Sequence, residues 1–303
     1  MASPAFKLPT AASQAPLDLS KVKALVCEPS GLLRQGIRLA LNNVGIRAIT
    51  EANTFLAAHK ACEEGEHDFL VLNQEIEAND ATYLLREMRA GKLGKDPFVV
   101  SVMLLASREE PMVRAAMNCG PDDLLLIPFA PDQLMNRLKV LVERRKPFVV
   151  THDYIGPDRR GVPRPGVTSA TQFHVPNPVR SRSQGIPQDR YNKHLQEVVA
   201  AMAVERIKRL AATIEWECNA LTVSFRDSAA TPETTFRSLI KLDSVCEELS
   251  DRVSKTLGHA TDIITGYLTD IRKLKNTPSK VTFSDVEHLT VSGRKIYGTY
   301  TSR

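Results

Sequence analysis

Phe98-Val99-Val100-Ser101-Val102-Met103-Leu104-Leu105 is the longest apolar run in the chain, interrupted by one small hydroxyl. A run with no polar face fits a strand covered on both sides, and such strands belong to parallel sheets with helices packed on each face. Working outward, shorter apolar runs at Lys23–Cys27, Arg47–Thr50, Phe69–Leu72 and Leu124–Ile127 read as further strands. Between them the apolar spacing changes to three and four. This gives helices over Gly31–Asn43, Thr54–Glu64 with Asn53 as N-cap, Ala81–Arg89, Glu110–Asn118, and Pro131 to about Arg145. Gly120 suits a left-handed turn closing the fourth helix, and Pro131 suits the first position of the fifth, where no donor is lost. Parallel neighbours need crossovers, and crossovers are right-handed. Residues 21–146 are therefore expected to form an α/β fold, a doubly wound parallel five-stranded sheet in the order 2-1-3-4-5.

In such a sheet the working crevice lies beyond the carboxyl ends of strands one and three, where the order reverses. Glu28 and Pro29 follow the first strand, Asn73 follows the third, and Leu105 and Ile127 end the fourth and fifth. That set holds one carboxylate, one amide and three apolar side chains. No nucleophile–base pair, metal-ligand spacing or glycine-rich phosphate loop accompanies it, so the chain is expected to be no enzyme and to need no cofactor or metal.

Leu25-Val26-Cys27-Glu28-Pro29-Ser30, Phe69-Leu70-Val71-Leu72-Asn73 and Leu126-Ile127-Pro128-Phe129 together resemble the receiver domains of response regulators, the CheY-like superfamily, over about residues 22–145. Met112 to Gly120 is similar to the fourth helix of that family. The resemblance implies a bacterial two-component phosphorelay, in which an aspartate after strand three takes a phosphoryl group. An acidic pair after strand one holds Mg²⁺, while a hydroxyl and a lysine contact the phosphoryl oxygens. In this sequence the acceptor position carries Asn73, whose amide is a poor nucleophile without charge. The acidic pair falls on Glu28 and Pro29, the hydroxyl position on Leu105, with Ser107 as its substitute if the register slips, and the lysine position on Ile127. The family's aromatic switch position carries Leu124. All these changes run from charged or polar toward neutral or apolar. The resemblance thus implies an atypical receiver, a pseudo-receiver that binds proteins without aspartate phosphorylation. A second reading joins Glu28 and Glu75, with Asp80 nearby, into a substitute metal site; a third leaves both glutamates as solvated loop residues.

Residues 1–20 read as a disordered tail, and 147–188 as an extended basic linker broken by prolines such as Pro157, Pro163 and Pro176. Within it Tyr154-Ile155-Gly156-Pro157-Asp158-Arg159-Arg160 offers an aromatic anchor and an arginine pair, so Tyr154, Arg159 and Arg160 form a candidate docking segment; packing on the receiver or a solvated spacer are the plainer alternatives. Residues 189–276 read as an all-α helical hairpin. Leu195, Val199, Met202, Leu210, Ile214, Leu221 and Phe225 mark its first helix. Its second helix, from Pro232 to about Asn276, carries a near-heptad seam from Leu239 to Leu274 and would run roughly 60 Å. A helix that long outreaches one short partner, so two hairpins are expected to pair as a homodimer, by four-helix bundle or coiled coil. His259 is read as an ordinary exposed histidine. Residues 277–303 read as a basic tail with a short helix at Asp285–Leu289.

The formal charge of +5 is mild, so nucleic acid is not expected as a partner; a regulator binding it through the basic linker and tail is the alternative. Five scattered cysteines suggest reduced thiols, and no apolar stretch reaches membrane-span length, so a cytoplasmic protein without membrane contact is expected. The expected partner is a signalling protein, either a histidine kinase or a downstream target.

Overall fold

The computed structural model describes residues 18–159, 171–257 and 261–301. The chain divides into two units, the first made of residues up to Met117, Pro121–Arg145 and Pro176–Tyr191, the second of Asn118–Gly120, Lys146–Val175 and Asn192 onward.

In the first unit β1 (Lys23–Cys27), α1 (Gly31–Asn43), β2 (Ala48–Ala52), α2 (Phe55–Glu64) and β3 (Phe69–Asn73) come first. A small hairpin follows, β4 (Glu75–Ile76) with β5 (Asn79–Asp80), and then α3 (Thr82–Arg89), β6 (Val100–Leu105), α4 (Glu110–Asn118), β7 (Asp123–Leu126) and α5 (Pro131–Glu143). The five long strands are parallel in the order β2-β1-β3-β6-β7. This is the expected 2-1-3-4-5 order, because the small hairpin stands outside the sheet. Central β3 and β6 are buried along their whole length, as an apolar run without a polar face requires. On one side of the sheet Val26, Val71, Val102 and Leu104 pack against Ile37 and Leu41 of α1 and Leu134 and Leu138 of α5. Full burial of each such side chain contributes about 1.5–3 kcal/mol. One detail differs from expectation: Thr54, not Asn53, caps α2, because its extended backbone lets its hydroxyl accept the Ala57 N–H at 3.2 Å.

A buried ion cluster closes the opposite end of this unit. Asp122 pairs with Arg89 at 3.1 Å and with Arg145 at 2.7 Å, all three side chains being almost fully buried. Arg145 also donates to the carbonyls of Phe98 and Pro176. Thus the chain returns to the first unit after Pro176, contrary to the linker reading of 147–188. Asn177 caps α6 (Pro178–Ser183) and donates to the Leu141 carbonyl, while Val179 is fully buried in the core. Arg182 meets Asp68 at 3.2 Å, and the Tyr191 hydroxyl donates to Asp96 at 2.5 Å. The reason is legible locally: Asn-Pro supplies an N-cap and a first-turn proline, which start a helix rather than extend a spacer.

In the second unit β8 (Phe148–Val150), β9 (Ile155–Pro157) and β10 (Gln172–Phe173) form an antiparallel sheet ordered β10-β8-β9. So this stretch too is paired rather than free. Then come α7 (Gln188–Arg226), whose start up to Tyr191 counts with the first unit, α8 (Pro232–Leu257), α9 (Asp262–Lys275), a 3₁₀ turn (Pro278–Lys280) and α10 (Phe283–Thr301). The single long second helix of the sequence reading is therefore two helices. Residues 258–260 between them, His259 included, lie outside the described residues. Leu210 and Ile214 of α7, Leu239, Leu242 and Leu249 of α8, Ile264 and Ile271 of α9, and Leu289 and Ile296 of α10 share one buried cluster. The seam expected to need a second chain is thus covered within one chain, and the physical argument for a homodimer falls away. The C-terminal stretch is likewise no solvated tail, since α10 extends well past Leu289 and buries Val286, Leu289 and Ile296. Among the described residues no helix is long and apolar enough to cross a membrane.

Candidate functional site

Glu28 and Asn73 meet where the sheet order reverses. Each follows or ends a central strand, so the parallel register of β1 and β3 brings them side by side. Glu28 is 1% exposed and Asn73 8% exposed. Asn73 Nδ2 donates to Glu28 Oε2 at 2.7 Å, and the Ser30 N–H donates to Glu28 Oε1 at 2.8 Å. Asn73 Oδ1 accepts the Glu75 N–H at 3.1 Å. Every oxygen of this pair therefore already has a protein donor, which is what a buried carboxylate needs to remain in place.

Pro29 contributes only its carbonyl, which together with that of Glu28 accepts Arg34 Nη1 at 2.9 and 2.8 Å. Arg34 Nε reaches Glu51 at 3.3 Å. Sequence reasoning missed Arg34 as a site residue, although a basic residue one turn into the helix that starts at the site was the available signal. It also missed Gln74, which is buried beside Asn73. Neighbouring Cys27 is held well above the ordinary thiol range by its hydrogen bond with Cys62 and by burial, so it adds no thiolate to the mouth.

The remaining candidates do not close on this pair as one pocket. Ile127 packs against the cluster of Leu104 and Leu125, whereas Leu105, one residue beyond Leu104, points to the other side of the sheet. Their backbones meet, the Ile127 N–H donating to the Leu105 carbonyl at 2.8 Å. Ser107 is turned to its own loop, accepting the Glu109 N–H at 3.1 Å. Leu124 lies half-buried in β7. Glu75 is exposed, and Asp80 pairs with it across the hairpin while accepting both the N–H and the hydroxyl of Thr82.

This donor set does not fit the Mg²⁺ ion that the resemblance implies. A hard dication demands several free oxygens in near-octahedral geometry; here the one buried carboxylate is engaged at both oxygens and the adjoining position is a proline. Among the described residues no three His, Cys, Asp or Glu side chains converge to hold a metal.

The segment Tyr154–Arg159 is used internally. The Tyr154 hydroxyl donates to the Pro157 carbonyl at 2.9 Å, the Asp158 N–H donates to the Pro147 carbonyl, and Asp158 Oδ2 accepts the Gln172 amide. Tyr154 and Arg159 are half-buried, and Arg160 lies outside the described residues.

No protein-family model matches the chain. Its curated relatives include the Escherichia coli transcriptional regulatory protein BasR, 29% identical over 124 residues that make 41% of this chain and 53% of that protein. Pseudomonas aeruginosa supplies the phosphate regulon transcriptional regulatory protein PhoB, 27% identical over 41% of this chain and 52% of its own, and the response regulator protein PmrA, 31% identical over 41% and 53%. The chain spans about half the length of these relatives. Among solved structures, the receiver domain of Francisella response regulator 1452 is 23% identical, over 40% of this chain and 96% of that one, at a TM-score of 0.36.

The relatives are response regulators, and the matched part is the N-terminal receiver domain, about two-fifths of the chain. The first unit is thus similar to the receiver domains of these response regulators.

Proposed function

We propose that this protein is a two-component signalling component whose receiver-like unit works by protein–protein binding, with no aspartyl phosphate and no reaction of its own. The observation that carries this reading is the Asn73–Glu28 hydrogen bond of 2.7 Å. An amide oxygen lacks the charge and nucleophilicity of a carboxylate, and the remaining carboxylate is committed to Asn73 and Ser30. Phosphorylation would add about −1.5 to −2 charges at this mouth, and Ile127 stands where a balancing lysine would be. The surface of the unit is therefore constitutive, and the partner is a sensor kinase or a downstream target in the same pathway. The test is intact-mass analysis of the full chain after incubation with acetyl phosphate and Mg²⁺. The mass stays unchanged; phosphate uptake lost in Asn73→Ala or Glu28→Ala would overturn the reading.

A second reading is favoured by one observation, that relatives such as BasR and PhoB are transcriptional regulatory proteins. The low weight given to nucleic acid in the sequence reading has no support from these relatives. Under this reading the chain binds DNA through basic side chains, and affinity falls steeply between low and physiological salt because counterions are released. Absence of DNA binding at both salt concentrations removes it.

A further inference from the structure

Gln74 stands between the mouth of the sheet and helix α4. Its backbone is pinned twice: its N–H donates to the Leu104 carbonyl at 3.0 Å, and its carbonyl accepts the Ala81 N–H at 2.8 Å. Its side chain is 7% exposed, and Nε2 donates to the Met112 carbonyl at 2.9 Å, in the first turn of α4. Gln74 Oε1 is buried and has no partner among the described residues. The amide cannot gain by turning over, since that would set Oε1 against the Met112 carbonyl and lose the only donor–acceptor pairing of this side chain. A buried amide left half-satisfied is costly, so the orientation toward Met112 is the feature the surroundings enforce.

Helix α4 needs such an anchor. Of its residues only Ala116 is buried, whereas α5 buries Leu134, Leu138, Leu141 and Val142. Helices with few buried apolar contacts open locally at low free energy.

The geometry points to Gln74 as a latch that ties the end of β3 to α4 and holds the α4 surface in one arrangement. The latch rests on the proposed reading in one respect only, that no phosphoryl group at the mouth moves this helix. Because Gln74 directly follows Asn73, the amide pair at the mouth and the position of α4 are set by consecutive residues of one strand end. α4 is then a fixed presentation surface, and changing residue 74 releases it without touching Glu28 or Asn73.

Amide hydrogen exchange on the full chain tests this. In Gln74→Leu, and in Gln74→Met as the slimmer replacement should leucine prevent folding, the α4 amides exchange about tenfold faster while β1 and β3 amides keep their rates. Unchanged α4 rates overturn the latch. So does equal acceleration of α4, β1 and β3, which would make Gln74 a general packing residue. The unmodified chain gives a reading that needs no variant: with the latch, α4 exchanges within about a hundredfold of α5 despite its single buried residue, and a larger gap overturns the proposal. Phosphate uptake in the acetyl phosphate experiment would sink the phosphate-independent reading while leaving these exchange rates as they are, so the two failures are separable.

Discussion

Arg206 on α7 faces Glu248 on α8 through two parallel contacts of 2.9 Å, Nε to Oε1 and Nη2 to Oε2. The same guanidinium donates to the Thr151 carbonyl in the β8–β9 turn. One arginine therefore joins the hairpin to the helices of the second unit, in a forked geometry that a lysine cannot reproduce.

This fork should make the second unit acid-sensitive. Burial pushes the Glu248 carboxyl up, but the Arg206 and Arg252 guanidinium groups outweigh it and hold the group below its ordinary 4.5. A depressed folded value contributes stability that is present above the unfolded value and lost as pH falls through the folded one. Asp243, beside Lys275 and Arg272, acts in the same direction. Urea midpoints read by the fluorescence of Trp216, the single tryptophan, should fall between pH 5 and pH 3, about where free carboxylates titrate, and fall less in Glu248→Gln. An identical pH slope in that variant would show that the fork has no such role.

Gly156 is fixed by close approach. A Cβ there would sit 2.5 Å from the Tyr154 hydroxyl oxygen and 2.8 Å from Gly120 Cα. Gly156→Ala should destabilise the second unit by about 1–3 kcal/mol. Gly298, inside α10 with open space around the added carbon, should respond oppositely. Gly298→Ala should stabilise by about 0.5–1 kcal/mol. Trp216 fluorescence in urea reads both, and a neutral Gly156→Ala would contradict the packing described.

Arg145 is the keystone of the buried cluster around Asp122. Removing it takes the Arg145 donors away from buried Asp122, which keeps its pairing with Arg89, a loss of about 1–3 kcal/mol. Arg145→Met should therefore weaken the first unit by that amount, and hydrogen exchange of β1 and β3 amides would report it. The same variant frees the Pro176 carbonyl, so exchange should also quicken across α6. If β1 and β3 keep their exchange rates, the cluster is no keystone.

Period and run length sufficed for the sheet: the apolar run at residues 98–105, the shorter runs around it and the intervening helical spacings lead to the observed strand order. The Glu28 and Asn73 positions were legible too, because topology alone places the ends of β1 and β3 together. What the sequence concealed was pairing at a distance. Prolines made residues 147–188 look extended, yet Phe148–Val150 pairs with strands on both sides, and Arg145 reaches forward to Pro176. In the helical part, apolar spacing continues from α8 into α9, so periodicity could not reveal that the chain folds back. Gln74 escaped because a lone glutamine after a strand signals nothing until Met112 is placed beside it.

Both oxygens of the Glu28 carboxylate are already engaged, by Asn73 and by the Ser30 N–H. The most direct measurement follows the Asn73 side-chain amide protons by NMR in the full chain while Mg²⁺ is raised to millimolar concentration. These resonances should hold their positions, because the hydrogen bond to Glu28 stays closed. A saturable shift of the Asn73 amide, lost in Glu28→Gln, would instead show magnesium seated at the mouth.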